Sequence, residues 1–143
     1  MIGELSDEGA LERFIHRTVE RLGLARRIRV LETSEGWHEV GALGEPAFAN
    51  SWVNYNSATH ATAAFYKDGS GRVHLKGSIK SGTIGATVFT LPVGYRPALQ
   101  NDFGVLSGTG SGACIITAAG AVVAVLGTNT SFALNSISFR AAN

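Results

Sequence analysis

Four histidines (His16, His38, His60 and His74), one cysteine (Cys114) and, from Trp37 onward, four carboxylates (Glu39, Glu45, Asp68 and Asp102) are the side chains with which this 143-residue chain could do acid–base, nucleophilic or metal chemistry. Hydrolysis or group transfer needs a nucleophile with a base and an orienting group, or two carboxylates that face one another. No spacing pairs these four carboxylates. Asp68 stands in the turn "DGSG", where a short carboxylate suits local backbone hydrogen bonding. Glu39 and Glu45 lie near a connection that contains Pro46 and read as solvated. No HxH or HExxH pattern joins the histidines, and one cysteine gives a zinc site little support. His74 alternates with Val73 and Leu75 and belongs to the polar face of a strand. His60 ends the polar loop "YNSATH" and is the histidine best placed for ligand contact, the plainer alternative being an exposed surface side chain.

Cys114, beside Ala113, Ile115 and Ile116, reads as a buried structural thiol, and a single cysteine permits no intrachain disulfide. The segment "GTGSGA" has the glycines of a phosphate loop, but no Gly-Lys-Ser/Thr occurs and a β-branched run follows it. The residues therefore give no enzyme signature, no cofactor motif and no metal site.

The elements that position these residues fall into two parts of unequal character. The chain is 45% hydrophobic and 16% charged, against roughly 25% charged in an average globular protein. Its net charge of +1 gives no electrostatic reason to expect nucleic acid or an anionic membrane as partner. Thirteen of the twenty-three charged side chains lie in residues 1–36, which sets a boundary between 1–36 and 37–143. In the first part Leu11, Ile15, Thr18, Leu22 and Ala25 recur at spacings of four, three, four and three, one face of a helix that Ser6 or Asp7 can cap. Arg13, Arg17 and Arg21 form a solvated row off that face. A lone amphipathic helix must bury its stripe, here on the following β-part or on copies of itself as a short stem through Leu11, Ile15 and Leu22. The charged start "MIGELSDEGALERF" has none of the layout of a secretion signal.

From Trp37 onward short β-type runs alternate with turns. "ATAAFYK" and "RVHLKGSIK" flank "DGSG" as a hairpin, with Val73, Leu75 and Ile79 on one face of the return strand. "ACIITAAGAVVAVLG" is apolar, yet it is shorter than the roughly 20 residues of a membrane span and Gly120 splits it. It reads as two strands joined at Ala119-Gly120. Eight or nine strands with turns every eight to twelve residues predict an antiparallel sandwich or barrel.

The run "AFYKDGSGRVHLKGSIKSGTIGATVFTLPVGYRP" resembles the C-terminal heads of bacteriophage tail-fibre, receptor-binding and baseplate proteins. The resemblance rests on Tyr66, Asp68, Gly71, Val73, Leu75 and Gly77, then on Thr90, Leu91, Pro92, Gly94, Tyr95, Arg96 and Pro97. The upstream "WHEVG" and "GEPAFANSWVN" also look like the start of such heads, so the likeness covers about residues 37–98. It implies a trimeric, jelly-roll-like antiparallel β-sandwich head behind a short N-terminal α-helix. It also implies a virion location, at a phage tail tip or in a tail-like particle made in the host bacterial cytoplasm. The implied partners are further copies of the chain, other tail or baseplate proteins at the N-terminal segment, and a bacterial surface glycan or protein.

Receptor sites of that kind combine aromatic faces with polar loop side chains. Trp52, Tyr55, Asn56, His60 and Asp102 are the candidates, Trp52 having a core strand as its alternative place. Pro92, Gly94, Tyr95, Arg96 and Pro97 read as a corner that closes the sandwich, with Gly94 at positive φ and the Tyr95 hydroxyl bonded to backbone. Two other functions stay open: a purely structural virion component, and a glycan depolymerase at trimer clefts that would depend on Asp102 or Glu45.

Overall fold

The computed structural model describes residues 35–142, and these are all β, with no helix among them. The helical stem expected from Leu11, Ile15 and Leu22 lies outside the described residues.

Eleven strands form rather than eight or nine, because several connections carry pairs or triplets too short to show a sequence period. They are β1 (His38–Glu39), β2 (Val53–Asn54), β3 (Ala64–Lys67), β4 (Arg72–Lys76), β5 (Ser78–Lys80), β6 (Thr87–Thr90), β7 (Asn101–Ser107), β8 (Gly110–Ile116), β9 (Ala121–Leu126), β10 (Phe132–Ala133) and β11 (Ser138–Arg140). A four-stranded sheet runs β1-β3-β4-β11 and a seven-stranded sheet runs β2-β5-β10-β7-β8-β9-β6. All pairings between named strands are antiparallel. The two sheets share one core, with Phe65, Val73 and Leu75 from the first meeting Val88, Phe89, Ile116 and Val122 from the second. The rings of Phe65 and Phe89 stack across that seam, 6.0 Å between centroids.

The hairpin around "DGSG" forms as the sequence predicts. Asp68 Oδ1 accepts from the Ser70 and Arg72 amides, which fixes the turn and sets Tyr66 opposite His74. The apolar run after Gly110 forms β8 and β9, and Thr117 and Ala121 close their turn through backbone bonds.

One expectation fails instructively. "RVHLKGSIK" is not one strand: it breaks at Gly77, so that β4 lies in the four-stranded sheet and β5 in the seven-stranded one. Gly77 has φ +113°, and a Cβ built there would stand 2.5 Å from the Ala63 backbone. Only glycine can carry the strand through this turn at this closeness. The β10–β11 connection changes sheet at the same place. Leu134 donates its amide to the Gly77 carbonyl (2.7 Å) and Leu75 donates to Ile137 (3.0 Å). Two crossing strands thus make a single corner between the sheets.

At the other end, β6 is an edge strand that finishes before Pro92, where a missing N–H costs nothing. Gly94 adopts φ +95° in a turn in which the Tyr95 amide donates to the Pro92 carbonyl (3.1 Å), and Arg96 Nε donates to the Leu91 carbonyl at 2.7 Å.

Candidate functional site

The Gly77 corner carries two adjoining concavities, one on the outer face of each sheet. The first is a pocket of about 260 Å³ walled by Tyr55, His60, Ser78, Leu106, Ser131 and Asn135 among others. Local chemistry builds its aromatic rim. Tyr55 follows β2 and donates its amide to the Ser78 carbonyl at the sheet edge (2.8 Å). The Asn56 side chain accepts from the Ala58 amide (3.0 Å), and its carbonyl accepts from the Thr59 and His60 amides. This tight Asx-type turn folds His60 back until its ring meets Tyr55 edge-on, 4.7 Å between centroids. Lys80 Nζ lies over the Tyr55 ring at 5.6 Å.

The second is a groove of about 390 Å³ over the four-stranded sheet, lined by Trp37, Tyr66, His74, Lys76 and the connection 135–138. Strand register sets its floor, since Tyr66, His74 and Ser138 stand side by side on β3, β4 and β11. The Trp37 ring is 44% exposed and stands edge-on to Tyr66 at 4.5 Å, with Lys76 Nζ 5.3 Å from its centre. The polar side chains Lys76 and His74 of the groove have partners beside it. Lys76 pairs with Glu39 (3.2 Å), and His74 Nε2 lies 2.7 Å from Asp68 Oδ2. The bonds from His74 and Ser70 hold the Asp68 carboxyl well below the usual carboxylate range.

A third cluster sits at the Pro92–Pro97 corner. His38 Nδ1 lies 2.8 Å from Glu45 Oε1, and His38 Nε2 lies 3.3 Å from Glu35 Oε2. The Tyr95 hydroxyl donates to that same Glu35 oxygen at 2.7 Å, so its partner is a carboxylate and not the expected backbone group. Glu35 Oε1 accepts from the Lys67 amide (2.7 Å). The hydrogen bond to Glu45 comes first in raising the His38 pKa; burial opposes it, and Glu35 reinforces it. Burial works against the Glu35 carboxylate, but bonds from Tyr95, the Lys67 amide and His38 outweigh it and lower its pKa. Burial, then the Glu35 contact, pushes the Tyr95 phenol up to about 12. An imidazole with a carboxylate at each nitrogen is held as a strut rather than offered as a free base. Among the described residues no three His, Cys, Asp or Glu side chains converge as a metal site requires.

Of the sequence candidates, Tyr55 and His60 come together at the pocket, and Asn56 shapes the turn that joins them. Trp52 does not belong with them. It is 1% exposed and packs in the core near Phe132, 6.0 Å between ring centroids, so no ligand reaches it. Asp102 is exposed but stands near the start of β7, bonded to Gln100, while Leu106 marks the pocket end. Four residue steps along the strand put Asp102 about 13 Å from Leu106. Cys114 is buried, which pushes its thiol up to about 12 and leaves it unreactive.

Trp37 and Tyr66 were not sequence candidates. The hairpin register around Asp68 does place Tyr66 and His74 on one outer face, and that signal could have found the groove.

Compared with family models, with curated proteins and with solved structures, the chain matches none of them.

Proposed function

We propose that residues 37–143 are the receptor-binding head of a bacteriophage tail or tail-like particle, and that the head is not an enzyme. In this reading it holds a bacterial surface glycan at the Tyr55–His60 pocket. The pocket carries the argument. Two rings meet edge to face at 4.7 Å beside the uncharged hydrogen-bonding side chains of Ser78, Ser131 and Asn135. Apolar ring faces with a few convergent polar groups suit a sugar, which presents C–H faces and hydroxyl edges. The resemblance of the β3–β4 hairpin and the "TLPVGYRP" corner to tail-fibre heads supports the phage setting. The jelly-roll-like head would follow a helical stem with Leu11, Ile15 and Leu22 on its packing stripe, three copies around one axis, with other tail proteins at the N-terminal segment.

A second reading, a structural component of the particle, draws on the neighbouring sheet face, which shares Leu106 with the pocket. The outer face of β7, β8 and β9 presents Gly104, Leu106, Ala113, Ile115, Val123 and Val125, with Asp102 the one carboxylate among them. An apolar, nearly uncharged sheet face of this kind suits contact with further copies of the chain.

Two measurements separate the readings. Light scattering of the full chain should give three times its 15.0 kDa mass, and a monomer at micromolar concentration would contradict the trimer. A glycan array of bacterial surface oligosaccharides should register binding by the same sample. A trimer that binds no glycan and no bacterial cell would leave the structural role.

A further inference from the structure

The two concavities meet at one side chain. Asn135 lines both the Tyr55–His60 pocket and the Trp37 groove. Its carbonyl oxygen accepts from the Gly77 amide at 2.7 Å, which locks the side chain onto the corner where both strands change sheet. With the oxygen so bound, the amide nitrogen remains as a donor on the ridge between the concavities.

We propose that pocket and groove are one binding track for an oligosaccharide of at least two sugar residues, crossing the corner at Asn135, with an uncharged sugar against Trp37. This rests on the reading of the Tyr55–His60 pocket as a glycan site, and extends it to ligand length and charge.

Three observations carry it. Size is the first: at about 260 Å³ the pocket falls short of the roughly 300–1,000 Å³ usual for ligand sites, while the adjoining groove, at about 390 Å³, reaches that range and supplies the space the pocket lacks. Pre-organisation is the second. Trp37 is held edge-on to Tyr66 and under the Lys76 ammonium while staying 44% exposed, so a ligand meets a ring that is already ordered. Charge is the third. Lys76 pairs with Glu39, His74 with Asp68, and Arg72 at the rim is engaged by the Ser138 hydroxyl (3.0 Å), so the groove presents neutral polar groups such as Ser136 to a ligand.

The test uses the full chain and purified neutral and anionic bacterial surface oligosaccharides of one to six residues. Tryptophan fluorescence reports the groove, because Trp52 is buried and Trp37 is not. Affinity should rise at least tenfold between one sugar residue and about three, then level off. The longer neutral ligands should shield Trp37 from acrylamide quenching. Trp37→Ala should erase the gain with length. If that variant does not fold, Ser136→Arg at an exposed position in the same groove should do the same. Affinity independent of length, or Trp37 left unshielded by a bound ligand, would overturn the track and leave the pocket reading intact. An anionic oligosaccharide that shields Trp37 better than a neutral one of equal length would overturn the charge assignment. Binding of no oligosaccharide at all would overturn the track and the pocket reading together.

Discussion

The two corners of the sandwich use similar materials for opposite ends. At the Pro92–Pro97 corner the polar groups answer one another: Tyr95 meets Glu35, Glu35 meets His38, His38 meets Glu45, and Arg96 meets the Leu91 carbonyl. At the Gly77 corner Asn135 and the turn at Asn56 hold the backbone, but the rings of Tyr55, His60, Trp37 and Tyr66 face concavities instead of the core. Closed hydrogen-bond networks stiffen a fold, whereas a recognition surface must keep ring faces and donors open to an incoming partner. In the proposed reading the first corner holds and the second receives.

Substitutions can break that contrast. The largest effect should come from Gly77→Ala, which combines positive φ with backbone only 2.5 Å from the new Cβ. A loss of about 4 kcal/mol or more in urea unfolding is expected. Gly94→Ala, at φ +95° with no heavy atom nearer than 4.0 Å, should lose only about 1–2 kcal/mol. Equal losses would remove the special status of the Gly77 corner. Next, Tyr95→Phe deletes the donor to Glu35 and should destabilise by about 1–2 kcal/mol without weakening glycan binding. A binding loss larger than the stability loss would make the holding corner a receiving one.

Then comes pH. The folded-state pKa of His38 is raised above its ordinary 6.5. Its contribution is therefore full below about 6.5 and fades as pH climbs through the folded value. Glu35 is shifted down, so its contribution is present above the ordinary carboxylate pKa and fades as pH falls through the folded value. Stability measured from pH 6 to pH 9 should decline in the wild type and decline less in His38→Gln; parallel curves would refute the strut. The smallest stability effect, about 1 kcal/mol or less by thermal melting, should follow Tyr55→Ala at the rim of the receiving corner.

Much of this architecture is written locally in the chain. Asp68 and the glycines after it announce the hairpin, Gly120 divides β8 from β9, and Pro92, Gly94 and Pro97 mark the closing corner. The break at Gly77 is invisible because Gly77 falls in phase with Val73, Leu75 and Ile79, and alternation runs straight through a residue with no side chain. Nothing in the spacing joins Glu35, His38, Glu45 and Tyr95, which meet only when β1 reaches the turn after β6. The pocket was half legible. The polar loop "YNSATH" points to Tyr55 and His60, but the two-residue strand before it is too short to reveal that Trp52 faces inward.

The central claim is that the Gly77 corner receives a bacterial surface glycan. Binding of one array-selected oligosaccharide to the wild type, Tyr55→Ala and Tyr95→Phe, each confirmed folded by melting, tests it most directly. The expected result is equal affinity for wild type and Tyr95→Phe and at least a tenfold loss in Tyr55→Ala. Undiminished affinity in folded Tyr55→Ala would contradict it.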